Sequence, residues 1–186
     1  MSIFNLNFRV ATAEDAPQLQ QLIQSAFRAE DSRQSWTGDM GLASKFCMEV
    51  KEIETFMTPE CDFLMATDNN GALVGTIGVS KRGANSARLF LLAVDHRHHR
   101  SGLGRQVLAY AEEYCQRTWG ATKLGLNALS TRQALISWYM RRGYQKTGET
   151  SPFPRDKFAE LELPDDLCCI EFEKYLNTVA VAEDAA

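Results

Sequence analysis

Three arginines and two glycines crowd into VDHRHHRSGLGRQVL, residues 94–108. Arg97, Arg100 and Arg105 supply positive charge, and no acid lies between Asp95 and Glu112. Gly102 and Gly104 lack a Cβ, so a ligand can come close to the backbone, and each can take φ > 0. Such a loop suits an anion, above all if a helix begins there. The first turn of a helix has amide N–H groups without intrahelical partners, and the dipole turns its positive end to them. A phosphate or pyrophosphate is the natural guest. A second block, RQALISWYMRRGYQKTGETSPFP at 132–154, contains Tyr139, whose phenol could carry a proton. By spacing alone Tyr139 falls in an apolar stripe with Ala134, Leu135 and Trp138 and reads as core.

The elements that must position the loop lie on either side of it. Residues 89–94 are an apolar run long enough for a buried strand. From Leu103 the period changes: Leu103, Val107, Leu108, Ala111, Tyr114 and Cys115 fall on one side of a 3.6-residue wheel. Gly120 is a natural stop. A strand therefore feeds a basic loop that feeds a helix. The P-loop pattern GxxxxGK[ST] is absent, and Val107 stands where the dinucleotide fingerprint needs its third glycine.

The rest of the chain reads as follows. Residues 3–10 alternate as a half-buried strand. Thr12 is a candidate N-cap for a helix with the stripe Leu19, Leu22, Ile23, Ala26 and Phe27. Residues 30–41 are a polar loop around Trp36, and a helix is expected over about 42–57, ending before Pro59. Strands at 61–67 and 72–80 flank the turn Asp68-Asn69-Asn70-Gly71, and with 89–94 they form a meander. Residues 123–129 alternate as a strand that, entered through a helix, runs parallel to 89–94. Ser130 or Thr131 caps a short helix that ends at Gly143. Residues 144–149 and 168–175 are further strands, with a long turn opening at Pro152-Phe153-Pro154. Residues 177–186 are small and acidic and are expected to form a disordered tail beyond a single domain at 1–176.

Composition bounds the function. The chain has 186 residues, 45% hydrophobic and 24% charged, with net charge −4, as expected of one globular domain. No apolar run approaches a membrane span, and the N-terminus has no secretory pattern. The five cysteines are an odd number without CxxC spacing, which suggests buried thiols in a reducing compartment and a cytoplasmic protein. A basic island in an acidic chain suits one small anion better than nucleic acid. His96, His98 and His99 beside Asp95 share one loop, whereas zinc sites draw ligands from fitted elements, so no metal is expected.

The block at 94–108 resembles the GNAT superfamily of N-acetyltransferases, whose pattern is V-D-P-x-x-Q/R-x-x-G-x-G-R-x-L-L. Val94, Asp95, Gly102, Leu103, Gly104, Arg105 and Leu108 match it. His96 replaces the usual Pro, and His99 replaces the usual Gln or Arg. The block at 132–154 is similar to a subgroup with R-x-x-L-I-x-W-Y-x-R-R-G-Y-x-x-T-G-E followed by P-F-P, which matches from Arg132 through Pro154. The resemblance covers roughly residues 8–176.

It implies an α/β (α+β) fold: a twisted, mostly antiparallel mixed sheet with helices on both faces and two splayed central parallel strands. It implies acetyl-CoA as cosubstrate in the gap, its pantetheine against the backbone of Leu92, Ala93 and Val94, and its pyrophosphate on His99, Arg100, Ser101, Gly102, Leu103, Gly104 and Arg105. Asn127 on the second strand joins the cofactor set. The reaction implied is direct transfer of acetyl to a primary amine, with a backbone N–H near Val94 stabilising the oxyanion. Tyr139 matches the family's general acid, a phenol of pKa about 10 beside a thiol of about 8.5. The family often places a Glu base on the first strand, but 88–94 has no carboxylate; Glu149, Asp31 and Asp39 are the candidates. Trp36 and Glu149 could meet the substrate, and Glu30, Asp31 and Asp39 could attract a cationic amine. The partner is a small-molecule or peptide amine, with no nucleic acid or membrane, and the chain acts as monomer or homodimer. Two other readings stay open: an acyl-CoA sensor without turnover, and a nucleic-acid binder using Arg97 to Arg105.

Overall fold

The computed structural model describes residues 5–29, 40–98 and 101–177. Seven strands form one sheet in the order β1-β2-β3-β4-β5-β7-β6. They are β1 (Asn7–Val10), β2 (Cys61–Thr67), β3 (Leu73–Arg82), β4 (Ser86–Val94), β5 (Lys123–Leu129), β6 (Gln145–Pro152) and β7 (Cys168–Tyr175). The helices are α1 (Ala16–Arg28), α2 (Met40–Ser44), α3 (Val50–Phe56), α4 (Leu103–Trp119) and α5 (Gln133–Met140). Every strand pair is antiparallel except β4 with β5. Among the described residues no helix is long and apolar enough to cross a membrane.

Alternation along the strands divides the core in two. Leu64, Ala66, Ile77 and Leu124 face α4 and α5, where they meet Val107, Leu108, Ala111, Leu135 and Tyr139. Phe63, Met65 and Ala93 face α1 and α3, against Leu19, Ile23 and Ile53. The buried stripe of α4 is Leu103, Val107, Leu108, Ala111, Tyr114 and Cys115, the same six positions that the wheel selects. Its flanks are pinned by polar ties: the Tyr114 hydroxyl donates to Asp62 at 2.8 Å, and Glu112 accepts from Tyr144 at 2.9 Å and Lys174 at 2.8 Å.

Three expectations need correction. The single helix over 42–57 is two helices, α2 and α3, joined by an extended link. The backbone of that link finds its partners on α1 instead of in a helical ladder. Gln20 donates to the Met48 carbonyl at 2.8 Å, Gln24 accepts from the Met48 N–H at 3.3 Å, and Arg28 donates to the Phe46 carbonyl at 2.6 Å. Residues 20, 24 and 28 stack at i, i+4 and i+8 on one helix face, so α1 offers a row of partners that competes with local propensity. The second correction concerns Ser130 and Thr131, which do not cap α5; Arg132 is its N-cap residue. Ser130 instead bridges the end of β5 to the start of β7, its N–H donating to the Cys168 carbonyl at 2.8 Å. The third concerns the thiols. All five cysteines are free, but only Cys115 is buried, and burial pushes its thiol up to about 12.

Smaller differences are of boundary. Strand β6 runs on to Pro152, which an edge strand tolerates at its end. The first strand begins at Asn7, and Asn177 accepts a 2.8 Å hydrogen bond from Gln116; residues 178–186 of the expected tail lie outside the described residues.

Candidate active site

The parallel strands pair at only three positions, Ser86 with Lys123, Ala87 with Leu124 and Arg88 with Gly125. Beyond Arg88 they part, and the sheet forks. A β-bulge deepens the opening. Thr76 pairs with Ala93 and Gly78 with Phe90, so Ile77 alone stands opposite Leu91 and Leu92. Leu91 sits at φ +50°, the one non-glycine residue with positive φ among those described. The bulge turns Leu91 to the same face as Phe90 and returns Leu92 and Val94 to the α4 face. The Phe90 ring lies over Gly78, where an added Cβ would come within 2.5 Å of it. Leu91 and Leu92 thus have a register partner on neither β3 nor β5. Unpaired strand groups of this kind need a partner, and an amide-bearing chain lying along β4 would provide one.

A cavity of about 460 Å³ runs through the fork. Its β4 bank is Leu89 to Val94 and its β5 bank Leu126 to Leu129. On the α4 face it reaches Gly104, Leu108, Trp138 and Tyr139; on the α1 face it reaches Phe27, Phe46, Phe153 and Phe158. Its size is that of a small-molecule site.

The anion loop keeps its backbone but changes its charges. Gly102 is the N-cap of α4 at φ +81°, which a side chain would strain. Gly104 is helical, and its missing side chain serves another end. A Cβ there would project to within 3.8 Å of Trp138 and 4.0 Å of Val94, into the cavity wall. The N–H groups of Gly104 and Arg105 lie in the first helical turn and have no carbonyl to pair with inside the helix. That of Leu103 reaches the Ser101 oxygen at 3.4 Å, while the Ser101 hydroxyl donates to the His98 carbonyl at 2.6 Å. Arg105 is exposed on the same turn. Arg97, counted in the sequence as free positive charge, folds back on buried Asp95, with contacts of 2.6, 3.0 and 3.1 Å. Its guanidinium holds the Asp95 carboxyl at about 2. His99 and Arg100 lie outside the described residues.

Tyr139 is buried at 7% exposure on the inner face of α5, ringed by Trp138, Tyr144 and Phe172. Its ring is core, as spacing suggests, yet it also lines the cavity. No hydrogen bond joins its hydroxyl to a described residue. Burial pushes the phenol up to about 12, and Arg132, also on the cavity wall, pulls the other way.

Asn127 lines the β5 bank, and its side-chain amide donates to Glu171 at 3.1 Å. Glu171 also accepts from Arg88 at 3.0 Å and Ser151 at 2.6 Å. Burial alone would raise its pKa, but these three donors outweigh that and lower it. The cluster straddles the last paired rung of the fork. Sequence reasoning passed over it, because its members lie on four strands, and only the register of Asn127 opposite Glu171 brings them together. Glu149 is exposed on edge strand β6 and is not part of the cavity wall. Trp36, Glu30, Asp31 and Asp39 lie outside the described residues. No group of three or more His, Cys, Asp or Glu side chains suited to a metal occurs among the described residues.

A family model described as the acetyltransferase (GNAT) family matches residues 18–144, well over half of the chain. The chain belongs to this family. As a GNAT acetyltransferase it is an enzyme of acetyl transfer. No curated protein matches the chain. Among solved structures it is similar to the ribosomal-protein-S18-alanine N-acetyltransferase from Escherichia coli, with 17% identity over 97% of this chain and 99% of that one and a TM-score of 0.68. It is also similar to an IAA acetyltransferase from Bacillus cereus ATCC 14579, with 16% identity, 92% and 100% coverage and a TM-score of 0.65. A third is a GNAT family acetyltransferase from Elizabethkingia anophelis with acetyl-CoA bound, with 15% identity, 92% and 99% coverage and a TM-score of 0.65. At these identities the likeness is one of fold, and the forked mixed sheet expected from the sequence is that fold.

Proposed function

We propose that this enzyme moves an acetyl group directly from acetyl-CoA to a primary amine, with Tyr139 as general acid. One observation carries the reading: a cavity passes through an open strand fork, and a buried phenol with no described hydrogen-bond partner lines it. Acetyl-CoA supplies the activated acyl carbon and a thiolate leaving group. The backbone of Leu92 to Val94 binds the pantetheine amides, for which the edge of β4 left open by β5 beyond Arg88 speaks. Ser101 to Arg105, with first-turn amides and the Gly104 gap, hold the diphosphate. An N–H near Val94 donates to the oxygen on which charge develops.

Tyr139 holds the proton that the departing sulfur takes. At about 12 the phenol stays protonated throughout the physiological range. Against a thiol of about 8.5 it lies roughly 3.5 pKa units too high, about 5 kcal/mol. Desolvation in the same apolar cavity raises the basicity of the sulfur and narrows the gap. No carboxylate lines the cavity among the described residues, so the amine loses its proton to water before or during attack. Five free cysteines suit a reducing compartment such as the cytoplasm.

The test is thiol release from acetyl-CoA over a panel of primary amines, with calorimetric binding of acetyl-CoA alongside. Turnover that Tyr139→Phe abolishes without loss of binding supports the reading. Binding without turnover of any amine would leave an acyl-CoA sensor, and absence of binding would remove the reading altogether.

A further inference from the structure

The cavity continues past the fork to the α1 face, and there its wall changes character. One side is Phe27 from α1 with Phe46 from the α2–α3 link, stacked at 4.6 Å between centroids and 20° between planes. The other is Phe153 with Phe158 from the connection between β6 and β7, at 5.2 Å and 30°. Leu91, turned to the α1 face by the bulge, also lines this wall. All four rings are half-buried, so they keep apolar surface open to the cavity. The two sides belong to one structure: Lys45, next to Phe46, pairs with Glu160, two residues past Phe158, at 2.8 Å. The only charged residue on the described cavity wall is Arg132, a cation.

Resting on the transferase reading above, we infer that the acceptor is a small monoamine whose amino group is carried by an aromatic or branched aliphatic group. The apolar group would fill the space between the two phenylalanine pairs, and the amine would point to the fork. Such a group gains by leaving water for this wall. A polyamine or aminoglycoside would instead bring a second ammonium against this apolar, aromatic wall, and burying a charge without a partner is costly.

The experiment compares kcat/KM for 2-phenylethylamine and isoamylamine with that for putrescine and spermidine, at saturating acetyl-CoA. An advantage of about tenfold or more for the apolar amines is expected, the scale on which apolar pockets discriminate. Phe46→Ala and Phe153→Ala should raise KM for 2-phenylethylamine by roughly 5- to 20-fold, leave kcat within about threefold and leave acetyl-CoA binding unchanged. Phe46→Leu should restore most of the loss. Equal or better use of putrescine or spermidine overturns the inference and leaves the transferase reading standing. So does an unchanged KM in both alanine variants, or binding of acetyl-CoA with none of the four amines acetylated. Failure to bind acetyl-CoA overturns the transferase reading and this inference with it.

Discussion

The two ends of the cavity are built in opposite ways. The backbone of the α4 end comes from one stretch, residues 89–108, in which β4 leads into α4, and α5 adds the side chains of Trp138 and Tyr139. The α1 end draws on α1, the α2–α3 link, the β4 bulge and the β6–β7 connection, so its walls lie up to 131 residues apart, from Phe27 to Phe158. Where backbone geometry does the binding, the residues must be neighbours in sequence, because a helix N-terminus and its cap are local objects. Where side chains enclose a volume, any segment that reaches the space can contribute. The α4 end is therefore suited to a ligand part common to a whole family, and the α1 end to whatever is particular to this chain.

Breaking one end should leave the other intact, and the largest effect lies between them. Tyr139→Phe is expected to lower kcat by about 10²- to 10⁴-fold with the Kd for acetyl-CoA unchanged, read by steady-state kinetics and calorimetry. An equal fall in affinity would make the residue part of the cofactor wall instead. Next comes the pH profile. In the proposed reaction the amine attacks as the free base, so kcat/KM should rise about tenfold per pH unit below the substrate's own pKa. With the phenol at about 12, no falling limb from Tyr139 is expected below that value; a descent between pH 8 and 10 would contradict this assignment.

Gly104→Leu tests the α4 end alone. The leucine side chain would enter the gap beside Trp138 and Val94, so acetyl-CoA should bind about tenfold more weakly or worse, roughly 1.4 kcal/mol. Leucine is the better helix former, so thermal stability should not fall. Gln20→Ala tests the α1 end. It removes the donor to the Met48 carbonyl at a cost of about 1 kcal/mol, seen as a lower Tm. The loosened link carries Phe46, so KM for the amine should rise several-fold while acetyl-CoA affinity holds.

The smallest effect concerns acid stability, to which two carboxylates outside the cavity wall contribute. Asp95 is held at about 2 by Arg97, and Asp15 lies lower still, held first by Arg9 and further by the Thr12 N–H. A depressed folded-state pKa gives stability that is complete above the unfolded value near 3.9 and is lost as pH falls through the folded value. Denaturation midpoints should therefore decline from about pH 4 to pH 2. Asp95→Asn should flatten part of that slope, and an unchanged slope would mean that the Asp95–Arg97 pair does not differ between folded and unfolded states.

Much of this was legible in the residues. The six-position stripe from Leu103 to Cys115, the glycines at 102 and 120, the meander and the parallel entry of β5 follow from period, turn chemistry and connection rules. These are short-range constraints, so each is written within a few residues of where it acts. The same reading gave the α4 end its loop but overcounted its charge, because composition cannot tell that Arg97 turns back on Asp95. Glu149 was named as a candidate base for its charge and its place in a motif, yet β6 is an edge strand and sets it away from the cavity.

By itself, then, the sequence determined the order and kind of most elements and the glycine-capped start of α4, since helix capping and strand alternation depend on near neighbours. Tertiary structure alone decided three things. It set the point, after Arg88, at which β4 and β5 part, it broke 42–57 into two helices by offering Gln20, Gln24 and Arg28 as partners, and it drew Phe27, Phe46, Phe153 and Phe158 around one space. Each depends on contacts between segments far apart in the chain, where packing and hydrogen bonding across the fold outweigh the few tenths of a kcal/mol that local propensity provides per residue.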